Sequence, residues 1–196
     1  MRIRDENKQA IVKEKAIKML VNEGFDGFSM QKLAKAAGVS PATLYIYYKD
    51  KEDLIVQLGI EAGREMLDFT MKNFDPEMNF AAGMKIQWEN RAAFNLKNDH
   101  KTAFYEMIKM SPFREKVSEK LKNDFREIMS RFIKKAVENG EIKPLPIEVY
   151  WSVAFAPLYN LLRFHADGQS IGGRPFEWKD EYMYQALELV LKALKP

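Results

Sequence analysis

The chain has no cysteine. That excludes disulfides, thiolate catalysis and cysteine-ligated zinc, and it suits a reducing compartment. Histidine is scarce too. His100 and His165 are the two in 196 residues, and they do not stand at metal-ligand spacing. His165, at the apolar end of a helix, reads as a hydrogen-bonded core or interface residue rather than a base. There is no glycine-rich phosphate loop and no G-x-S-x-G turn. Asp and Glu are scattered over polar faces with no identifiable pair. An enzyme is therefore not expected, nor a metal or a cofactor. No apolar run reaches the length of a membrane span, and the opening MRIRDENKQ lacks an apolar signal core. The expectation is a cytoplasmic protein that does not enter the membrane. Strand alternation and internal repeats are missing from residue 77 onward, so the fold class expected is all-α.

Charge of one sign is also in short supply overall, at +3, but it is unevenly placed. Residues 1–49 hold nine Lys and Arg against five Asp and Glu, an excess of +4, which leaves −1 for the rest. A basic end on a near-neutral body is the asymmetry of a nucleic-acid-facing module. Arg2, Arg4 and Lys8 suit either a phosphate-contacting arm or a frayed, solvated terminus.

What is present is concentrated in Ser29 to Leu54, SMQKLAKAAGVSPATLYIYYKDKEDL. Ser29 can cap a helix whose end is marked by Gly38, and Phe28 and Leu33 have the spacing of a hydrophobic staple. Ser40-Pro41 restarts a helix, serine as cap and proline at the first helical position, where its missing N–H matters least. Two short helices about a tight glycine-containing turn form a helix-turn-helix. The second begins with small residues, Pro41, Ala42 and Thr43, as a helix end entering a major groove requires. Tyr45, Tyr47, Tyr48, Lys49 and Lys51 then supply hydroxyls and cations for phosphates. An ordinary helical hairpin with core tyrosines, acting as an adaptor for protein partners, is the alternative.

Gly38, Val39, Ser40, Leu44, Tyr45, Tyr47, Tyr48, Lys51 and Leu54 match G-V-S-x-x-x-L-Y-x-Y-[FY]-x-x-K-x-x-L, so the first quarter of the chain resembles the TetR family of bacterial transcriptional regulators. The resemblance implies a homodimeric, ligand-responsive repressor that binds a palindromic operator in double-stranded DNA. It implies that Gln31, Pro41, Ala42, Thr43 and Tyr47 face bases and that Ser29, Ser40, Tyr45 and Lys51 hold phosphates. Glutamine pairs bidentately with adenine, so Gln31 favours that base. A small-molecule effector site in the C-terminal body is implied as well.

The rest of the chain reads as helices. About nine are expected in all: a three-helix head over residues 1–50, a connecting helix at 50–73, and a bundle that completes a ligand-binding and dimerisation domain, 51–196. Further helices are expected at 77–96, 100–110, 113–138, 147–166 and 177–194. The third of these carries one long stripe, Val117, Leu121, Phe125, Ile128, Phe132 and Ala136. Gly59 and Gly63 in the connecting helix suit close packing or a bending point, and Pro157 should kink helix 147–166. The aromatic and methionine side chains Trp88, Phe104, Met107, Trp151, Phe155 and Tyr159 are either plain core or the lining of the effector pocket, with Gln87, Asn160 and Arg163 as polar candidates. The last two long helices are apolar nearly all round, which a second copy would explain. The dimer interface expected on that ground is Tyr150, Ala154, Leu158, Leu161, Met183, Leu187, Val190 and Leu191.

Overall fold

A computed structural model describes the backbone of residues 2–121 and 123–196, and the side chains of residues 7–121 and 125–196. The side chains of Arg2 and Arg4 lie outside the described residues. The fold is all-α: the described residues form eleven helices, a short 3-10 turn at Ile171–Gly173 and a single isolated bridge between Gln169 and Pro175. The chain separates into two compact units.

The first unit takes Met1–Glu65 and Asn98–Lys122. It contains α1 (Arg2–Gly27), α2 (Met30–Ala37), α3 (Pro41–Tyr47), most of α4 (Lys51–Thr70), α6 (Asp99–Lys109) and α7 (Arg114–Glu119). Val12, Ala16 and Leu20 of α1 meet Leu33, Ala34, Leu44, Tyr48, Leu54 and Leu58 in one core, which Phe104, Ile108 and Val117 extend. The compact unit around the helix-turn-helix is thus larger than residues 1–50 and drawn from two stretches of chain. Gly24 kinks α1 near its end, with φ 71°. Gly59 and Gly63 are explained by close packing. A Cβ on Gly59 would lie 2.9 Å from Val117, and one on Gly63 would lie 2.4 Å from Leu121 and 2.7 Å from Tyr105. A methyl group there would collide with the α6–α7 segment.

The second unit takes Met66–Lys97 and Asn123–Pro196. It contains α5 (Phe80–Lys97), α8 (Asn123–Glu138), α9 (Ile147–Ala154), α10 (Ala156–Ala166) and α11 (Asp180–Leu194). Asn79 starts α5, its Oδ1 accepting the Ala82 N–H at 2.9 Å. Phe80, Met84, Trp88, Phe132, Tyr150, Phe155, Leu158, Met183 and Leu187 build the core.

Two expected helices are broken. The stripe over 113–138 is not one helix: Val117 lies in α7, Leu121 in the turn beyond it and the rest in α8, and its members serve different cores. Val117 and Leu121 pack in the first unit, while Phe125, Phe132 and Ala136 pack in the second. A continuous amphipathic stripe therefore did not require a continuous helix. Over 147–166, Pro157 does more than kink the chain. Phe155 leaves helical geometry (φ −127°, ψ −24°), and α10 restarts with proline in its first turn. These two breaks raise the helix count from about nine to eleven.

Gly83 packs against the Phe132 ring, and a Cβ there would lie 2.5 Å from two ring carbons. Phe132 is itself stacked on Phe80, at 5.6 Å, and edge-on to Phe74, so it cannot swing aside. Replacing a helical glycine by alanine favours the helix by about 1 kcal/mol, but overpacking costs about 1–3 kcal/mol. Gly83→Ala should therefore lower stability by up to about 2 kcal/mol, read as a lower urea midpoint. A rise in the midpoint would contradict this packing.

Candidate nucleic-acid interface

The helix-turn-helix is fixed by its ends. Ser29, in extended geometry, accepts the Lys32 N–H on its hydroxyl at 3.2 Å. At the other end of α2, Gly38 takes the left-handed conformation (φ 66°, ψ 33°), and the Val39 N–H reaches back to the Ala34 carbonyl at 3.0 Å. That is the six-to-one closure for which a glycine is favoured. Two residues on, Ser40 caps α3. Its Oγ accepts the Thr43 N–H at 3.2 Å and pairs with the Thr43 hydroxyl at 2.9 Å. The exit is fixed too, since Asp50 Oδ1 accepts the Asp53 N–H and Asp53 Oδ2 accepts the Lys49 N–H.

Leu44 and Tyr48 anchor α3 in the core. Among the described residues the buried Tyr48 hydroxyl makes no hydrogen bond of normal geometry, although Gln9 lies close enough to interact with it. Burial pushes its pKa up to about 12. This hydroxyl serves packing and does not reach solvent. The opposite face of α3 is open. Pro41 and Ala42 are exposed, Thr43 and Tyr47 are half-buried, and Tyr45 and Ile46 are 54% and 76% exposed. Ile46 is the residue missed in the sequence. Its spacing, one turn from Ala42 and beside Tyr45, is the signal that reveals it.

The predicted contact residues divide. Gln31, Pro41, Ala42 and Tyr45 stand free on the surface. Ser29, Ser40 and Thr43 have hydroxyls engaged in capping. Lys51 is half-buried, and its Nζ donates to the Phe25 carbonyl at 2.6 Å, holding the end of α1. Lys32 is paired with Glu23 and the Gly27 carbonyl. Lys35 and Lys49 are exposed, with no ion pair among the described residues.

The six expected pocket residues do not all share a unit: Phe104 and Met107 lie in the first, Trp88, Trp151, Phe155 and Tyr159 in the second. Trp88 is core, its Nε1 donating to the Ala154 carbonyl at 2.9 Å. Asn160 and Arg163 are exposed. A surface cleft of about 410 Å³ is lined by Arg163, Asp167 and Ile171; of the expected pocket residues it includes Arg163 alone. His165 Nδ1 accepts the Trp178 N–H at 3.2 Å, a structural role.

The sequence reading missed Arg91. It is 4% exposed on α5. Its Nη1 donates to the Gln87 carbonyl at 3.1 Å and to Gln87 Oε1. Its guanidinium lies 4.3 Å from the Phe155 ring centroid and 5.9 Å from that of Trp151. No carboxylate pairs with it among the described residues. Burial lowers its pKa, and the facing Tyr159 hydroxyl opposes that shift. Stacking on a desolvated ring offsets about 2 kcal/mol, whereas burying an ion costs several. Gln87, fully buried, also donates Nε2 to the carbonyl of Thr70, the last residue of α4, at 3.2 Å. Glutamine and arginine at i, i+4 beside the apolar Met84 and Trp88 were the available signal.

Of the expected interface residues, Tyr150, Ala154, Leu158, Met183, Leu187 and Val190 are buried in the chain's own core, and Leu161 and Leu191 are half-buried. The burial of the first six needs no second copy.

Residues 12–58 match the model of bacterial regulatory proteins, tetR family. A TetR family transcription regulator of Marinobacter aquaeolei VT8 superposes with a TM-score of 0.81 at 26% identity, covering 100% of this chain and 99% of that one. The fatty acid metabolism regulator protein of Bacillus subtilis is 24% identical over 132 residues, 65% of this chain and 67% of its own. The transcriptional regulator FadR of Bacillus subtilis, solved in complex with stearoyl-CoA, shares the fold at 19% identity and a TM-score of 0.73, covering 95% of this chain and 99% of that one. No described helix is long and apolar enough to cross a membrane. With its capped helix-turn-helix and the open face of α3, the chain is a DNA-binding transcriptional regulator rather than an enzyme, with a head at residues 12–58 that matches the tetR family and the fold of TetR family regulators.

Proposed function

We propose that the protein is a cytoplasmic, ligand-responsive repressor that binds an inverted-repeat operator as a homodimer. Residues 1–50 act as the DNA-binding head and 51–196 as the ligand-binding and dimerisation body. The observation that carries the reading is the face of α3. Ala42, Tyr45 and Ile46 stand exposed on a helix otherwise locked into the core, and free lysines flank them. A helix-turn-helix reads DNA with such a face in the major groove. Gln31, Pro41, Ala42, Thr43, Ile46 and Tyr47 face bases in this reading, while Tyr45, Lys49 and the two N–H donors left on Lys51 meet phosphates. The capping hydroxyls of Ser29 and Ser40 lie at helix starts, where backbone N–H groups favour phosphate. The stearoyl-CoA held by the Bacillus subtilis protein of the same fold supports an apolar or amphipathic effector. Such an effector acts by binding one conformation better than the other.

Binding to duplex DNA selected from random sequence tests the reading, with two variants measured across a salt series. Lys51→Ala should weaken binding to all sequences alike and lower the salt slope by about one unit. Its melting temperature should also fall, because the bond to Phe25 is lost. Gln31→Ala should cost about 1–3 kcal/mol on the selected duplex and much less on random DNA. An unchanged slope removes Lys51 from the interface, and equal losses on both DNAs make Gln31 a positioning residue.

The dimer face proposed lies on the outward parts of α10 and α11, where Leu189 is 67% exposed and Leu161 and Leu191 are half-buried. Leu189→Glu should leave the fold intact and dissociate the dimer in sedimentation. Leu187→Glu should unfold the chain itself, because an unpaired carboxylate would sit in its own core. A Leu189→Glu protein still dimeric at low micromolar concentration places the interface elsewhere.

A further inference from the structure

We infer that Arg91 is the anchor for an acidic head group, so that the effector is an anionic amphiphile whose apolar chain runs among the aromatic side chains of α9 and α10. The inference rests on the ligand-sensing reading above and names the chemistry of its ligand.

The starting point is an imbalance. Arg91 is a permanent cation almost wholly removed from water. Buried charges are ordinarily paired with an opposite charge, and among the described residues no carboxylate lies within ion-pair distance of this one. Its neighbours are neutral: the Gln87 amide and carbonyl, the Tyr159 hydroxyl, and the rings of Phe155 and Trp151. Nη1 is committed to Gln87 and the Tyr159 hydroxyl bonds the guanidinium as well, which still leaves donors of the five-donor fork for the oxygens of a carboxylate or phosphate.

The surroundings suit the rest of such a molecule. Trp151 and Phe155 lie 4.6 Å apart, and Phe125 meets Trp151 edge-on at 6.5 Å. Trp151 is 37% exposed while Phe155 is buried, so the aromatic cluster runs from the surface to the guanidinium. An acidic group brought past Trp151 would reach the cation, and its chain would lie on the rings. A purely structural arginine needs none of this. A methionine of similar length would fill the same space without an ion to desolvate, and such replacements of buried ions are often neutral or stabilising.

The probes are dodecanoate, dodecanol and lauroyl-CoA, titrated against the whole chain by tryptophan fluorescence and thermal shift. The wild-type protein should prefer an acidic probe over dodecanol by about tenfold or more. Tighter binding of dodecanoate assigns a carboxylate head, and tighter binding of lauroyl-CoA assigns the phosphates of its carrier. Arg91→Met should melt no lower than the parent and bind acidic and neutral probes alike, and Arg91→Lys should recover part of the preference. Dodecanol bound as tightly as the acids by the wild-type protein overturns the inference and leaves the ligand-sensing reading standing. A preference for acids that survives in Arg91→Met overturns it too. So does an Arg91→Met protein that melts well below the parent, which would make the guanidinium structural. If none of the three probes binds, the inference falls together with that reading.

Discussion

A helix of seven residues does not hold itself. In water an isolated helix needs about 12–15 residues to be even marginal, and α3 has Pro41–Tyr47. Everything the head does depends on how that helix is held. Leu44 and Tyr48 fasten its inner side to the core shared by α1, α2 and α4. The Ser40 cap and Pro41 set its start, and the reciprocal bonds of Asp50 and Asp53 set its exit. With both ends and one side fixed, the outward side is free of structural duty. Ala42, Tyr45 and Ile46 are exposed for that reason, and exposure of large side chains on a rigid element is what recognition of a groove requires.

This part of the molecule was legible in the sequence because its signals are local. Ser29, Gly38, Ser40 and Pro41 act within four residues of themselves, and the structure finds each in its expected cap position. Legibility fails where a residue's role depends on distant chain. Lys51 looked like a free cation, but its partner is the carbonyl of Phe25. The stripe through 113–138 looked like one helix because its spacing is continuous, yet its two halves answer to different cores. The apolar last helices pointed to a second copy. Their inward residues are covered by α5 and by each other, so only the outward remainder can argue for a partner. Trp88 and Phe104 shared a composition but not a unit. Periodicity reports that a side chain is buried; it does not report what buries it.

Arg91 departs from the rule that buried charges are paired with opposite ones: among the described residues it has no carboxylate partner, and its bonds to Gln87 and its stacking on Phe155 compensate only in part. Proteins depart from such rules mainly at functional sites. Its link to the rest is short: Gln87 gives its oxygen to Arg91 and its amide N–H to the carbonyl of Thr70 at the end of α4. Asn90 holds the same carbonyl at 3.0 Å. A ligand oxygen on the remaining donors of the guanidinium would share the cation with Gln87, and Gln87 also steadies the end of the helix that begins directly after the DNA-reading hairpin.

The central claim is that DNA is read by the α2–α3 hairpin. Amide hydrogen exchange, measured on the chain alone and with a duplex selected from random sequence, tests it most directly. The account predicts that added protection on DNA binding concentrates in residues 29–49. Unchanged exchange across 29–49, with protection appearing in another segment, would contradict it.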